Sequence, residues 1–446
     1  MDLAKLEALQ DKQPILNVGT LGHVANGKTS LVKQLSGVVT QKSRKELEEQ
    51  RTMKLGYANV KIYLCPSCPP PQSYQSTGSE TKELCCKFCG TLTTLVRHLS
   101  IVDCPGHHTF MEIMLGGTSV MDTSILVEAA PNRTVPAPQT LEHLLAAEIS
   151  GQLPAFVCFN KMDLLSKKSF IQKMEEFKST LKAKEMSVPP IVPTCATFGE
   201  NMDVVCEYLA KIPIPSRPLT PPFSMLVIRS FNVNRQNVNI ADLKGAVLGG
   251  SIRSGIFKVG DRLELRPGVC GKKEGKLSYF PLRTSVLSIF SEKTSLEEAV
   301  PGGLLGVQTT LDPALASKNR LVGNQAFVLT EGEKLPRVYS TFWVEYKIFP
   351  AELIAGPPFK LRPGDLVTVN CHAVQLEAKI GELTKPKKKK RRRMLLELTT
   401  LPLCLRENEF LALSKDLGEA GSRLIGMARF IEGQEALLAP PSSPFS

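Results

Sequence analysis

The chain has 446 residues, of which 42% are hydrophobic, and it carries a net charge of +12. This length predicts about three domains, and no apolar run approaches the ~18 residues that a membrane span needs. The charge favours a polyanionic partner such as nucleic acid. The twelve cysteines, in a chain whose polar residues 1–13 are unlike a signal peptide, indicate reduced thiols or metal ligands and a cytoplasmic protein.

The sequence GHVANGKT at 22–29 is a complete G-x-x-x-x-G-K-[ST] phosphate loop. Apolar residues 15–21 predict a strand before it, and residues 30–35 predict the start of a helix after it. In this context the loop N–H groups surround phosphates, Lys28 reaches the β- and γ-phosphates, and the Thr29 hydroxyl ligates Mg²⁺. The sequence therefore predicts a nucleoside-triphosphate site.

Two C-x-x-C pairs follow, formed by Cys65 with Cys68 and by Cys86 with Cys89. This spacing can present four thiolates to one tetrahedral zinc ion with no open position, so it predicts a structural zinc site. The metal would stabilise an insertion at about 64–90 that has little core of its own. Reduced surface cysteines are the alternative, and Cys85 beside Cys86 leaves the fourth ligand open.

The sequence DCPGH at 103–107 follows the apolar run 99–102. Asp103 can hold the Mg²⁺ shell, Gly106 can offer its N–H to the γ-phosphate, and His107 can orient the attacking water. A solvated loop histidine is the alternative for His107.

The sequence NKMD at 160–163 follows a second apolar run, 155–159. An aspartate at position 163 can accept from the ring N–H and the exocyclic amine of guanine, donors that adenine does not present together. Because loops that follow parallel strands converge at one edge of a sheet, the three motifs together predict a GTP-binding domain.

The remaining chain predicts the domain organisation. After an N-terminal extension at 1–13, residues 14–217 alternate strands with helices, and prolines crowd residues 213–222 as a stiff linker. Short β-rich runs with glycine turns then predict two β-barrels, at 218–335 and 336–432, and residues 433–446 are expected to be a disordered tail. The predicted fold class is an α/β P-loop GTPase domain followed by two β-barrel domains.

The order of the three motifs resembles that of translational GTPases. Further stretches are similar to the gamma subunit of eukaryotic and archaeal translation initiation factor 2, and the resemblance covers about residues 14–335. These stretches are KLGYANVKIY (54–63), VCEY (205–208), IRSF (228–231), DLKG (242–245) and PGGLLGV (301–307).

The resemblance implies GTP-dependent delivery of initiator methionyl-tRNA to the small ribosomal subunit, with hydrolysis of GTP switching tRNA release. It implies slow hydrolysis without an activating partner, because no arginine finger is evident in the chain. The implied partners are initiator methionyl-tRNA, the alpha and beta subunits of a heterotrimer, the ribosome, and GTPase-activating and nucleotide-exchange factors. The implied cofactors are GTP or GDP, Mg²⁺ and structural Zn²⁺.

The resemblance also assigns the site residues. The catalytic residue is His107, and Mg²⁺ is held by Thr29, Thr52 and Asp103, with Thr52 as the switch-one threonine. The residues expected to bind GTP are Asn26, Gly27, Lys28, Thr29, Ser30, Gly106, Asn160, Lys161, Asp163, Cys195 and Ala196.

Several positions depart from the family pattern, among them Arg51 and Met53, which flank Thr52 where the family usually has isoleucines. Cys195 stands where the family usually has serine, although Ala196 can still offer its N–H to the guanine carbonyl. His108 replaces a common acidic residue beside His107, which puts the hydrolysis rate in doubt. Cys195 and His108 keep open a second function, a GTP-binding assembly scaffold with little hydrolysis. An elongation-type tRNA carrier is the other alternative, and the paired cysteines and the stretch 54–63, both typical of the initiation subunit, stand against it.

A basic run, KPKKKKRRR at 385–393, is predicted to lie on a solvated loop within the second barrel. Three interpretations compete: contact with tRNA or ribosomal RNA phosphates, a nuclear-import-like signal, and a solvated loop without a selected role.

Overall fold

The structure is a computed structural model that describes residues 9–41, 43, 46, 48, 52–107, 111–149, 151–217, 222–235, 239, 242–349, 359–384, 392–416 and 422–439. The main chain divides into two compact units, with the boundary between Pro215 and Ser216. No helix among the described residues is both long and apolar enough to cross a membrane.

The first unit is built on a seven-stranded sheet with the order β3-β2-β4-β1-β5-β6-β7. Its strands are β1 (Leu16–Leu21), β2 (Gly56–Leu64), β3 (Tyr74–Gly78), β4 (Thr94–Asp103), β5 (Thr123–Ala129), β6 (Pro154–Asn160) and β7 (Ile191–Pro193). Its helices are α1 (Lys28–Ser36), α2 (Met111–Thr118), α3 (Pro138–Ile149), α4 (Lys167–Ala183) and α5 (Met202–Lys211).

The central strands of this sheet are parallel, whereas β2 and β3 are antiparallel at one side. All six residues of β1 are buried, as expected for a parallel strand covered on both faces. Phe159 in β6 packs edge-on against Phe170 and Phe177 of α4, with ring centroids 5.3 and 5.7 Å away. This packing anchors β6 against α4. The three predicted motifs follow the carboxyl ends of β1, β4 and β6.

The second unit begins with a barrel whose ring order is β11-β16-β8-β9-β15-β12, and pairing of β11 with β12 closes the ring. The ring strands are β8 (Ser224–Phe231), β9 (Val247–Ser254), β11 (Arg262–Lys273), β12 (Lys276–Ser291), β15 (Leu305–Thr309) and β16 (Gln325–Val328). Shorter strands complete this region: β10 (Phe257–Lys258), β13 (Thr294–Leu296) and β14 (Glu298–Ala299).

A second barrel follows with the ring order β20-β19-β18-β22-β23-β17, closed by pairing of β20 with β17. The strands are β17 (Val338–Ile348), β18 (Leu366–Cys371), β19 (Val374–Leu383), β20 (Arg393–Leu398), β21 (Leu403–Cys404), β22 (Phe410–Asp416) and β23 (Ser422–Glu435). The predicted fold class, an α/β P-loop domain followed by two β-barrels, is confirmed.

The prediction of a disordered tail from residue 433 is wrong for its first part. Strand β23 runs to Glu435, and β24 (Leu437–Leu438) pairs in parallel with β12 of the other barrel. Ala436 and Ala439 are buried, and their N–H groups donate to main-chain carbonyl oxygens. These hydrogen bonds satisfy the polar groups of the backbone and so order a segment whose composition predicted no regular structure. Residues 440–446 lie outside the described residues, as do 385–391 of the basic run.

Candidate nucleotide-binding site

The loop between β1 and α1 has a backbone that requires glycine at two positions. Gly22 and Gly27 have φ values of 134° and 98°. A Cβ atom on Gly22 would lie 2.1 Å from the carbonyl oxygen of Val127, and one on Gly27 would lie 2.3 Å from Asn160 Nδ2. The loop therefore packs closely on β5 and β6 and leads directly into the N-terminus of α1, where N–H groups favour an anion.

Lys28, the first residue of α1, is folded back into the loop. Only 5% of the residue is exposed, and its Nζ donates to the carbonyl oxygens of Gly22 and His23 at 2.8 and 2.9 Å. Burial lowers the pKa of Lys28 to about 8, although Asp103 opposes this shift. The ammonium group is thus held where it can meet a phosphate.

Asp103, at the end of β4, is fully buried in a cluster of threonine hydroxyls. Its Oδ2 accepts from Thr29 at 2.7 Å and from Thr40 at 2.6 Å, while the Oγ1 atoms of Thr29 and Thr52 lie 2.8 Å apart. Burial raises the pKa of Asp103, and the hydroxyl donors oppose the rise. The structure thus brings together the three residues assigned to Mg²⁺, and their oxygens are the donors that this ion prefers. Thr40 carries no motif and was not predicted.

Gly106 lies against the phosphate loop. A Cβ atom at this position would lie 2.3 Å from Lys28 Nζ and 2.7 Å from the backbone nitrogen of Val24. Only glycine permits this approach, which places the Gly106 backbone beside the expected phosphates. His107 follows as a half-buried residue, whereas His108 lies outside the described residues.

The loops expected to read guanine are joined to the phosphate loop through Asn160. Its Nδ2 donates to the carbonyl oxygen of Asn26 at 2.9 Å, and its Oδ1 accepts from the N–H of Ala196 at 3.0 Å. The Cys195 thiol donates to Asp163 Oδ1 at 2.9 Å, and both burial and Asp163 raise the pKa of this thiol. Cys195 therefore positions the aspartate expected to read the base.

An open cleft of about 460 Å³ runs along these elements. Its lining includes the predicted residues Gly27, Lys28, Thr29, Ser30, Thr52, Gly106 and Lys161. It also includes residues that the sequence motifs did not indicate, namely Lys33, Val39, Gln41 and Thr197. Three lysines in one cleft supply the positive charge that a polyphosphate requires.

Two residues of α3 hold the start of the phosphate loop, and neither was predicted. His143 Nδ1 accepts from the Gly22 N–H at 3.0 Å, and Thr140 Oγ1 accepts from the His23 N–H at 3.3 Å. Burial lowers the pKa of His143 to about 3, so the ring is neutral and its proton lies on Nε2. Neither residue belongs to a sequence motif, so the sequence around them does not indicate that they bind the phosphate loop.

The four cysteines of the C-x-x-C pairs form one cluster, in which all sulfurs lie within 4.8 Å of one another. The sulfurs of Cys65 and Cys89 are 3.4 Å apart, and those of Cys68 and Cys86 are 3.8 Å apart. Zn–S bonds of about 2.3 Å place the sulfurs of a tetrahedral site about 3.8 Å apart, so the cluster fits zinc. Cys85 is exposed and lies outside it.

Neighbouring groups also donate hydrogen bonds to the four-cysteine cluster. Gln75 Nε2 donates to Cys86 Sγ at 3.0 Å, and the backbone N–H of Cys89 lowers the pKa of Cys86 to about 6 against the effect of burial. Such donors favour the thiolate form that metal binding needs.

Comparison with known proteins identifies the family. Residues 13–214 match the model of the elongation factor Tu GTP binding domain. The eukaryotic translation initiation factor 2 subunit gamma of Encephalitozoon cuniculi (strain GB-M1) is 39% identical over 428 residues, which are 95% of this chain and 94% of that protein. The chain belongs to the translation initiation factor 2 gamma-subunit family.

A second member, eukaryotic translation initiation factor 2 subunit 3 of Drosophila melanogaster, is 38% identical and covers 97% of this chain and 93% of its own length. The resemblance predicted from the sequence is thus confirmed. With its Tu-type domain, this gamma-family chain is a GTPase.

Two solved structures share the fold of this gamma-family chain. The bacterial selenocysteine-specific elongation factor EF-Sec aligns with a TM-score of 0.67 at 21% identity, covering 94% of this chain and 59% of that one. The elongation factor SelB of Methanococcus maripaludis, in complex with a GTP analogue, aligns at 0.68 and 19% identity, covering 95% and 80%. At these identities the likeness shows the architecture alone.

Proposed function

We propose that this chain carries initiator methionyl-tRNA to the small ribosomal subunit in a GTP-dependent cycle. The observation that carries the proposal is the meeting of Thr29, Thr52 and Asp103 at the cleft, within a chain of the gamma-subunit family. Because Thr52 precedes β2 and Asp103 ends β4, a ligand that engages both ties the switch segment to the sheet.

In this proposal Lys28, Thr29 and Gly106 hold the phosphates. Bound Mg²⁺, ligated by Thr29, Thr52 and Asp103, would neutralise charge on the β- and γ-phosphates. The Thr52 side chain and the Gly106 N–H respond to the γ-phosphate. Its loss releases both segments and lowers the affinity for tRNA, as in other order–disorder switches.

Hydrolysis uses His107 to orient the attacking water. None of the described residues that line the cleft is an arginine. We therefore expect slow hydrolysis until the ribosome or an activating factor completes the site.

The base is read by Asp163, whose orientation depends on the Cys195 thiol, and by the N–H of Ala196. The Asn160 amide keeps these loops in register with the phosphate loop. A thiol is a weaker donor than the serine hydroxyl usual in the family, so Asp163 is held less firmly here.

The four-cysteine cluster is proposed to hold structural zinc through Cys65, Cys68, Cys86 and Cys89. The remaining partners are the alpha and beta subunits, and exchange and activating factors, as in the heterotrimer implied by the family. The net charge of +12 suits a complex with RNA.

The first experiment compares binding of charged initiator and charged elongator methionyl-tRNA, each with a non-hydrolysable GTP analogue and with GDP. We expect tight binding only for the initiator with the GTP analogue. Thr52→Ala should remove the difference between the two nucleotides, whereas Thr77→Ala, which removes a hydroxyl bonded to Thr81 in the cysteine-rich insertion, should not.

Two other outcomes would refute the proposal. Equal binding of both tRNAs would indicate an elongation-type carrier. No nucleotide-dependent binding, even with the partner subunits present, would indicate a scaffold. Phosphate release by His107→Ala and wild type with an activating partner then separates enzyme from scaffold, because a scaffold gives equal and negligible release in both.

A further inference from the structure

Glu128, near the end of β5, is a buried carboxylate directly beneath the phosphate loop. None of its surface is exposed. Its Oε1 accepts from Asn132 Nδ2 at 2.8 Å and from the Ala137 N–H at 3.2 Å, and its Oε2 accepts from Thr140 Oγ1 at 2.6 Å and Asn26 Nδ2 at 3.3 Å. A buried charge persists only with such compensation, and here it joins four separate positions of the chain.

Glu128 helps to hold Asn26 by two routes, in addition to the bond from Asn26 Nδ2 to the carbonyl oxygen of Val127 at 2.8 Å. It accepts from the Asn26 amide directly, and it orients Asn132, whose Nδ2 also donates to Asn26 Oδ1 at 3.0 Å. The main-chain oxygen of Asn26 in turn accepts from Asn160. A continuous set of hydrogen bonds thus runs from Glu128 through the phosphate loop to the guanine-reading loops.

Glu128 also fixes the rotation of the Thr140 hydroxyl. This hydroxyl has one proton, and it donates that proton to Glu128 Oε2. Its lone pairs are therefore turned toward the His23 N–H, which lies 3.3 Å from Thr140 Oγ1. Both halves of the phosphate loop depend on the same carboxylate.

We infer that Glu128 is a positioning residue that sets the rate of guanine-nucleotide release by holding the phosphate loop in its binding conformation. This inference rests on the proposed nucleotide site. A loop that is already ordered loses less conformational entropy when the nucleotide binds. Loosening the loop therefore weakens nucleotide affinity, mainly by increasing the rate of release. The described hydrogen bonds of Glu128 do not reach Thr29, Thr52 or Asp103, so the hydrolysis step should change less than nucleotide release does.

The decisive variant is Glu128→Gln, which keeps the size and removes the charge. Its amide must turn an NH₂ group toward either the Thr140 and Asn26 donors or the Asn132 and Ala137 donors, so one pair is lost in either rotamer. We expect release of a fluorescent GDP analogue from the full-length chain to be about tenfold faster. Single-turnover hydrolysis of bound GTP should change clearly less than release does, because none of the groups assigned to Mg²⁺ or to the attacking water is altered.

The matched control is Glu264→Gln, at a carboxylate of β11 that is also almost fully buried and is paired with Arg266 and Arg283. It should release GDP like the wild type. Thr140→Val keeps the carboxylate but removes both the donor to Glu128 and the acceptor for the His23 N–H. It should accelerate release in the same direction as Glu128→Gln, and it decides the matter if Glu128→Gln does not fold.

The inference is overturned if folded Glu128→Gln releases the GDP analogue at the wild-type rate. If Glu128→Gln does not fold, a wild-type rate in Thr140→Val overturns it. An equal change in release and hydrolysis also overturns it, because that is the result of a general structural role. If the wild-type chain itself binds neither GDP nor GTP, it is the proposed function that fails.

Discussion

The two barrels are joined by a buried group of charges that gives a sharp prediction. Glu409, just before β22, accepts from His372 Nε2 at 3.1 Å and from Arg253 Nη1 at 3.2 Å. Arg253 comes from β9 of the first barrel, so this ion pair links the barrels directly. Burial opposes the charge of Glu409, but His372, Arg253 and Arg406 outweigh it and hold the pKa of the carboxyl well below its usual range.

Glu409→Gln removes the anion that offsets the repulsion between the positive charges of Arg253 and Arg406. The Glu409 side chain is 10% exposed and that of Arg253 is 30% exposed. Removing one partner of a buried pair typically costs about 3–5 kcal/mol. We expect about 3 kcal/mol here, because Arg253 can turn partly into water.

Urea unfolding of the full-length chain measures this loss. The single tryptophan, Trp343, lies in β17, so its fluorescence reports on the second barrel. The control is Glu435→Gln, which breaks the exposed pair with Arg337 and should cost less than about 1 kcal/mol. The reasoning is refuted if the two variants lose equal free energy of unfolding, or if Glu409→Gln loses less than about 1 kcal/mol.

The same group sets the response to acid. Because the pKa of Glu409 is lowered from its ordinary 4.5, its stabilisation is present above about pH 4.5 and is lost as the pH falls below that value. Burial lowers the pKa of His372 from 6.5, so the unfolded chain gains the proton first and stability also falls below about pH 6.5. Wild type should therefore lose stability between pH 7 and pH 4, whereas Glu409→Gln should lack the part of this loss that falls below about pH 4.5.

Three further predictions concern the first unit. Cys195→Ser should tighten GDP binding several-fold, because a hydroxyl is a stronger donor to Asp163 than a thiol; equal dissociation constants in a titration would contradict this. Cys86→Ser should abolish zinc binding, measured as metal content after purification, while Cys85→Ser retains the metal; equal loss in both variants would contradict the assignment of the ligands. Phe159→Leu should lower the free energy of unfolding by about 1–2 kcal/mol, because it removes two edge-on ring contacts in a fully buried site, and an unchanged thermal midpoint would disprove it.

The sequence alone was sufficient for the parts of the site that lie in continuous segments. The strand, loop and helix around Gly22 and Lys28 are dictated by local spacing, and the paired cysteines predicted a cluster that forms. The phosphate loop after an apolar strand predicted the α/β fold of the first domain, and the short β-rich runs with glycine turns predicted the two barrels. The family followed from the resemblance of stretches such as 54–63. The roles of individual ligands, such as Thr52 and His107, stay predictions until they are measured.

Other features depend on pairing between distant segments. A charged residue such as Glu128 is unexpected in a buried strand, and its partners are supplied by the phosphate loop with Asn26 and by helix α3 with Thr140. His372 and Glu409 meet only when the second barrel forms. The tail was predicted to be disordered because of its proline- and serine-rich stretch at 439–444, yet β24 pairs with β12. Tertiary structure decided these points, because the free energy of burying a charge or a backbone group depends on which partners the topology brings to it.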